Sequence, residues 1–524
     1  MMTDVSLKTH QLLVKSLLND SLYETKPCHF DVIETHISSV ILTGTDAYKI
    51  KKPLNLGFLD FSSLEQRRYF CQEELRLNRR LAADMYLDVV PIYGSHKAPS
   101  FEATGEPIEY AVHMKQFAQA TLLPNIASRN ELTLEHMNAL AKQMADFHAR
   151  ARVANEDTAF GEPQALFFPV QENFDQLRPL VNEPDNIQIL GQLETWSKTR
   201  FSDLQDALNN RKKNGFIREC HGDLHLGNMT LQDNKIVIFD GIEFNDLFRW
   251  IDVISDLAFT LMDLDERGLT AHANRLLNQY LDISGDYAAL ELVSFYKVYR
   301  ALVRAKITAI RLSQNSVNSA EAVQLNQQLT RYIHLARHYT LDKSTHIVMT
   351  YGLSASGKST FSKTLSDELG FIQIRSDVER KRLNQLSSLD KSHDTLNQGI
   401  YDGATTTLTY ARLIKLAELI VRADYHVVID ATYLKAAQRS MVQALSNSTG
   451  LPYHIADIQC PLALSRQEII ARAERGDDAS EATLEVLEQQ IKERQPLDSH
   501  EQGHAIKVYI EKPLSADVLD AFIS

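Results

Sequence analysis

Two short stretches of the chain hold residue types whose spacing could bind and move a phosphoryl group. The first is GLSASGKS, residues 352 to 359, a G-x-x-x-x-G-K-S pattern followed by Thr360. Gly352 and Gly357 allow the backbone to curl, so the N–H groups of Leu353, Ser354, Ala355 and Ser356 can face phosphate oxygens. Lys358 then reaches the terminal phosphates, and Ser359, beside Thr360 at a helix N-terminus, can ligate Mg²⁺. The second stretch, HGDLHLGN (221 to 228), puts Asp223 five residues before Asn228. In that arrangement the carboxylate orients or deprotonates a hydroxyl while the amide binds a metal ion. Seventeen residues after Asp223, the apolar run IVIF delivers Asp240 in IFDGIEF, a third hard oxygen ligand for one cation. His221 and His225 are four apart, but Gly222 and Gly227 argue against the helix that a zinc pair would need.

Each stretch has candidate companions. After the glycine-rich loop comes IRSDVERKR, where Asp377 and Arg380 would project from one side of a helix. Asp377 could take a proton from a hydroxyl while Arg380 holds the acceptor; a plain helix cap is the competing reading. Asp430 ends the run VVID, at the carboxyl end of a strand, where it could hold a Mg²⁺ water or the acceptor. Arg472 and Arg475 are three apart in RQEIIARAERGDD and could close over a nucleotide, or simply sit on a charged helix. Near the N-terminus, TDAYKIKKP offers Lys49 on the strand face of Ala47 as a nucleotide anchor. Lys51 shares that face and Lys52 does not, and the choice among the three stays open. The helix partner would be Glu74 or Glu73, with Glu74 favoured by the spacing to Leu77 and Leu81.

These residues need elements to position them. From 30 to 120 the pattern reads as strands interrupted by one helix (62 to 83, with Ser62 and Ser63 as candidate caps), and 131 to 340 is mostly helical. From 346 onward apolar strands (346 to 351, 371 to 375, 426 to 431, 455 to 460) alternate with helices, the signature of a parallel sheet covered on both faces. The expected architecture is an α+β kinase-like domain over 1–335, a linker over 336–344, and an α/β P-loop domain over 345–524.

Composition sets the frame. At 524 residues, 44% hydrophobic and 23% charged, the chain reads as a globular protein of more than one domain. Four scattered cysteines without a C-x-x-C pair support neither a disulfide framework nor a cysteine zinc site, and a reducing compartment fits. No run approaches the roughly 18 apolar residues of a membrane span, and the first residues lack a signal peptide's apolar core. The expected location is the cytoplasm, with no membrane partner. The net charge of −13 argues against a protein that wraps a long polynucleotide, and leaves room only for a short nucleic-acid end.

Residues 345 to 500 resemble small P-loop kinases, with the Asp377–Arg380 pair and the lid arginines most like polynucleotide kinase and the zeta-type toxins. The first 335 residues or so resemble the aminoglycoside phosphotransferase family of the kinase-like fold, through HGDLHLGN, IFDGIEF, DFHA and SDLAF. That likeness implies a structural role for Asp256 and makes EYAVHMKQF the hinge, with the backbone of Met114 to Gln116 facing adenine. Gly44 alone stands where many kinases carry a glycine-rich loop. The order of the two regions resembles a bacterial group described as bifunctional aminoglycoside phosphotransferase/ATP-binding proteins. The resemblance implies ATP and Mg²⁺ as cofactors and γ-phosphoryl transfer to a hydroxyl of a small molecule or nucleotide-type acceptor in each domain. A nucleotide-sensing regulator with one inactive domain, and a 5′-hydroxyl end-repair kinase, remain alternatives.

Overall fold

The two-residue period of strand Asp46–Lys51 turns Ala47, Lys49 and Lys51 to one face and Ile50 to the other, and all four are buried. That division organises the first part of the computed structural model, which describes residues 4–57, 59–313, 318–342, 344–386, 390, 402–475, 482–510 and 514–523. The strand lies in a six-stranded antiparallel sheet in the order Asp31–Glu34, Ser38–Leu42, Asp46–Lys51, Glu109–Lys115, Tyr86–Ser95, Ala98–Ser100. Ile41, Ile50, Ile92 and Ala111 pack on Leu13, Val14 and Leu17 of the N-terminal region. The opposite face, with Leu42, Ala47, Val112 and Met114, packs on helix Leu64–Ala82 through Cys71 and Ala82. Ser63 caps that helix in a reciprocal box with Gln66, and Arg67 pins it to Glu109 on the sheet at 2.9 Å.

The helical part of the same unit begins with helix Leu134–Arg150, capped by Thr133. Hairpin Met229–Gln232/Lys235–Ile238 turns through Asp233 and Asn234, both at positive φ (47° and 60°), as a two-residue hairpin turn requires.

The chain divides into two compact units: 1–263 with 299–329, and 264–298 with 330–524. The second is built on a five-stranded parallel sheet in the order Ile372–Arg375, Val427–Asp430, Ile347–Tyr351, Tyr453–Gln459, Ala505–Tyr509. Val348, Val428 and Ala456 pack against Phe361 and Leu365 of helix Lys358–Leu369. Ala505–Tyr509, a half-exposed edge strand, has no counterpart in the sequence reading. The opposite edge, Ile372–Arg375, is shielded by helix Thr270–Ser284, which the sequence reading left with the first 335 residues. The Asn278 amide donates to Phe371 O (3.0 Å) and accepts from Gln373 N–H (2.8 Å), satisfying groups an edge strand would leave open. Beside it, Arg275 makes a two-pronged buried ion pair with Asp367. Among the described residues, no helix is long and apolar enough to cross a membrane.

Candidate functional site

The loop 221–228 is held from behind. The N–H groups of His221 and Gly222 donate to the two oxygens of fully buried Asp256 (2.8 and 2.9 Å), and Leu226 N–H donates to Asp263. Arg300 donates to Gly222 O at 2.9 Å. Gly222 is at φ +87°, and a Cβ there would meet Phe248 O at 2.5 Å, so the position requires glycine. His221 Nε2 lies 2.9 Å from Phe239 O, which ties the loop to the strand carrying Asp240.

This scaffold brings Asp223 and Asn228 together. Asn228 Nδ2 donates to both the carbonyl and the carboxylate of Asp223 at 2.9 Å, which leaves Asn228 Oδ1 as an oxygen donor. His225 Nε2 approaches Asp223 Oδ2 at 3.4 Å. Burial opposes ionisation of Asp223, but His225, Arg304 and His221 outweigh it and hold the carboxyl well below the usual range.

Asp240 sits at φ +62°, a left-handed conformation uncommon for a residue with a Cβ. Its N–H donates to the Tyr86 hydroxyl (3.2 Å), and Gly241 N–H donates to Asn78 Oδ1 (2.8 Å). Lys49 Nζ lies 2.5 Å from Asp240 and 2.7 Å from Glu74, so the lysine bridges the two carboxylates. Burial disfavours its charge, yet Asp240 and Glu74 hold the ammonium well above its ordinary value.

The structure separates the three lysines. Lys51 is fully buried between Glu74 (2.6 Å) and Glu243, whereas Lys52 turns away to Glu34 (2.7 Å). Glu73 pairs instead with Arg76, leaving Glu74 to the lysines. Burial pushes Glu74 up, but Lys49 and Lys51 bring it down to about 2. The roles of Tyr86, Asn78 and Glu243 escaped the sequence reading, although Asn78 lies in the helix stretch 62–83 and Glu243 in the IFDGIEF run.

The hinge differs from expectation at one point. Met114 is buried opposite Ala47 and Tyr86, but the N–H of Gln116 donates to Thr45 O, and its side chain accepts from Gly44 N–H, each at 2.8 Å. The sheet continues through Gln116, so that N–H is not open to an adenine ring.

In the second unit the loop 352–357 leaves strand Ile347–Tyr351 with Ala355 (φ +58°) and Gly357 (φ +91°) in the left-handed region, then enters helix Lys358–Leu369. Lys358 Nζ donates to Leu353 O at 2.6 Å. Burial lowers its amine to about 8, with Asp430 and Asp377 opposing the shift. Ser354, Ser359 and Thr360 lie along the loop and the first helical turn, with Ser354 clasped by Gln490 through N–H (2.8 Å) and hydroxyl (2.9 Å). That glutamine carried no sequence signal.

Asp377, Arg380, Asp430 and Arg472 line one cleft of about 370 Å³ with the loop. Asp377 and Arg380 pair at 3.0 Å, Asp430 accepts from Gln373 at 3.0 Å, and Arg472 pairs with Glu468 at 2.9 Å. Asp430 ends the strand next to the loop's own, the place where parallel sheets gather ligands. The Arg475 side chain lies outside the described residues. Hard oxygen donors suited to Mg²⁺ are present in both places: Asn228 Oδ1 and Asp240 in one, Ser359 and Asp430 in the other.

A model of the phosphotransferase enzyme family matches residues 69–293, and an AAA domain model matches residues 347–497. Uncharacterized proteins of Mycobacterium tuberculosis and Mycobacterium bovis are 28% identical over 452 residues, covering 86% of this chain and 88% of theirs. An amicoumacin kinase solved with AMP-PNP and Ca²⁺ is 13% identical, with a TM-score of 0.39, over 62% of this chain and 93% of that one. A choline/ethanolamine kinase family protein from Mesorhizobium loti is 12% identical, with a TM-score of 0.37, over 63% of this chain and 99% of that one. The chain thus resembles the phosphotransferase enzyme family in its N-terminal part and an AAA domain, built on the five-stranded parallel sheet, in its C-terminal part.

Proposed function

We propose that each domain transfers the γ-phosphoryl group of ATP to a hydroxyl of a small-molecule acceptor. The observation that carries this reading is the bridge from Lys49 to Glu74 and Asp240, beside a charged Asp223 tied to Asn228. In the N-terminal site Lys49 holds phosphate oxygens, and Asp223 accepts the hydroxyl proton. The acceptor oxygen then bonds to the γ-phosphorus as the bond to the bridging oxygen of ADP breaks. In the C-terminal site the loop N–H groups and Lys358 hold the phosphates, Asp377 takes the proton, and Arg380 and Arg472 face the charge on the transferring group. Mg²⁺, held by Asn228 and Asp240 in one site and by Ser359 and Asp430 in the other, would neutralise phosphate charge. Positioning supplies most of the rate, since phosphoryl transfer asks little covalent work of the protein.

The test is label transfer from γ-labelled ATP to aminoglycosides, sugars, nucleosides and 5′-hydroxyl oligonucleotides. Lys358→Ala and Asp223→Asn should each remove a separate part of the turnover. If both left total hydrolysis and transfer unchanged, the two-site reading would be wrong.

A further inference from the structure

A second cleft of about 480 Å³ adjoins the phosphate loop and shares Ser359, Arg375 and Arg472 with the first. One of its walls comes from helix Thr270–Ser284, far from the loop in sequence but in the same compact unit. That helix is fixed in place by the Arg275–Asp367 ion pair, by the Asn278 amide on the sheet edge, and by Arg382 donating to Asp282 O at 2.5 Å. It presents Gln279 and Asp282 to the cleft.

Asp282 Oδ1 is shut off from solvent and has no hydrogen-bond partner among the described residues. Burial raises this carboxyl, and Arg375 is the leading opposing charge. A buried carboxylate oxygen without a donor is costly unless a ligand supplies one. The donor that fits is a hydroxyl, because an anion placed there would meet the carboxylate and an ammonium would meet Arg375. Four cations (Arg275, Lys363, Arg375, Arg472) and three carboxylates (Asp282, Asp367, Glu468) line the cleft, with Arg275 and Arg472 paired to Asp367 and Glu468, so its charges nearly balance and favour a neutral ligand. Among the described residues, every side chain lining it is polar and none offers an aromatic ring on which a nucleobase could stack.

We propose that this cleft is the acceptor subsite of the P-loop domain, and that it takes a neutral polyhydroxylated molecule, a sugar or polyol, one hydroxyl of which donates to Asp282. The inference rests on the kinase reading of that domain. Asp282 binds and orients the acceptor, while the reacting hydroxyl extends past Ser359, Arg375 and Arg472, which the two clefts share, toward Asp377 and the γ-phosphate.

The test uses the full chain carrying Asp223→Asn, so that turnover comes from the P-loop site, with γ-labelled ATP. The probes are glycerol, ribitol, ribose, glucose and myo-inositol, against adenosine and a 5′-hydroxyl oligothymidylate. The expected result is label on at least one polyol, with Asp282→Ala raising that polyol's KM tenfold or more and changing kcat much less. Asp282→Asn, which keeps the side-chain volume, should raise the KM in the same direction with an unchanged thermal midpoint, separating binding from misfolding. Label on adenosine or the oligonucleotide alone overturns the inference, as does a polyol KM that Asp282→Ala leaves within twofold. No label on any probe overturns the kinase reading of the domain, and the inference with it.

Discussion

Lys49 Nζ stands 2.5 Å from the Asp240 carboxylate, although 191 residues separate them in the chain. The contact joins the lysine strand to the loop after Asp223, and through Glu74 to helix Leu64–Ala82. On the proposed reading, replacing the lysine would take one positioned cation away from the reacting phosphates. Lys49→Met in a Lys358→Ala background should lower kcat/KM for ATP at the N-terminal site by about 10² to 10³. Steady-state turnover measures this, and a value within threefold of the parent would exclude Lys49 as the anchor.

Lys51 should behave differently. It is fully buried and reaches Glu74 and Glu243, so Lys51→Met strands buried carboxylates and should destabilise the first unit by about 3 to 5 kcal/mol. Adding Glu243→Gln should restore part of that loss. Urea unfolding of both variants gives the comparison, and equal losses would mean that the Lys51–Glu243 pair is not coupled.

Asp256 accepts two backbone N–H groups of the loop 221–228. Asp256→Ala should cost about 1 to 3 kcal/mol for each stranded donor. It should also lower N-terminal kcat more than the KM for ATP, because Asp223 loses its placement. A variant with full stability and full kcat would show that the loop is held by other contacts.

The amine of Lys358, lowered to about 8 by burial, predicts a pH profile. Below about pH 8 the ammonium is intact, and as pH rises through 8 nucleotide affinity at the loop should fall. Lys358→Arg, charged throughout, should flatten the profile between pH 7 and 9. Binding titrations in a Lys49→Met background report the P-loop site. The same lowered value means that the buried ammonium disfavours folding at neutral pH. That cost should be relieved as pH rises from about 8 toward the ordinary lysine range.

The Arg275–Asp367 pair is buried on both sides. Arg275→Met alone should destabilise the second unit by about 3 to 5 kcal/mol, whereas Arg275→Met with Asp367→Leu should recover most of it. Calorimetry of the single and double variants decides this, and an additive double loss would contradict the pairing.

Motifs contiguous in the chain were legible before any fold was known. GLSASGKS gathers backbone curvature, a lysine and a hydroxyl ligand within eight residues, and HGDLHLGN a carboxylate and an amide, so the chemistry each could do is readable locally. Strand and helix periods likewise set strands broken by one helix first, then helices, and a parallel sheet last. Residue types alone could not separate Lys49 from Lys51, which share a face; only the Asp240 loop, arriving from far along the chain, reaches Lys49 and leaves Lys51 to Glu243. Gln116 read as free until the sheet placed Thr45 O against its N–H. Helix Thr270–Ser284 showed no local sign that its Asn278 would complete a sheet edge about 95 residues on, or that Asp282 would face the phosphate loop's cleft. The sequence by itself determined which backbone turns and ligands could hold phosphate, because local sterics and spacing decide those. Tertiary structure decided which charges meet, because a buried ion pair or satisfied edge depends on distant segments packing closely enough to exclude water.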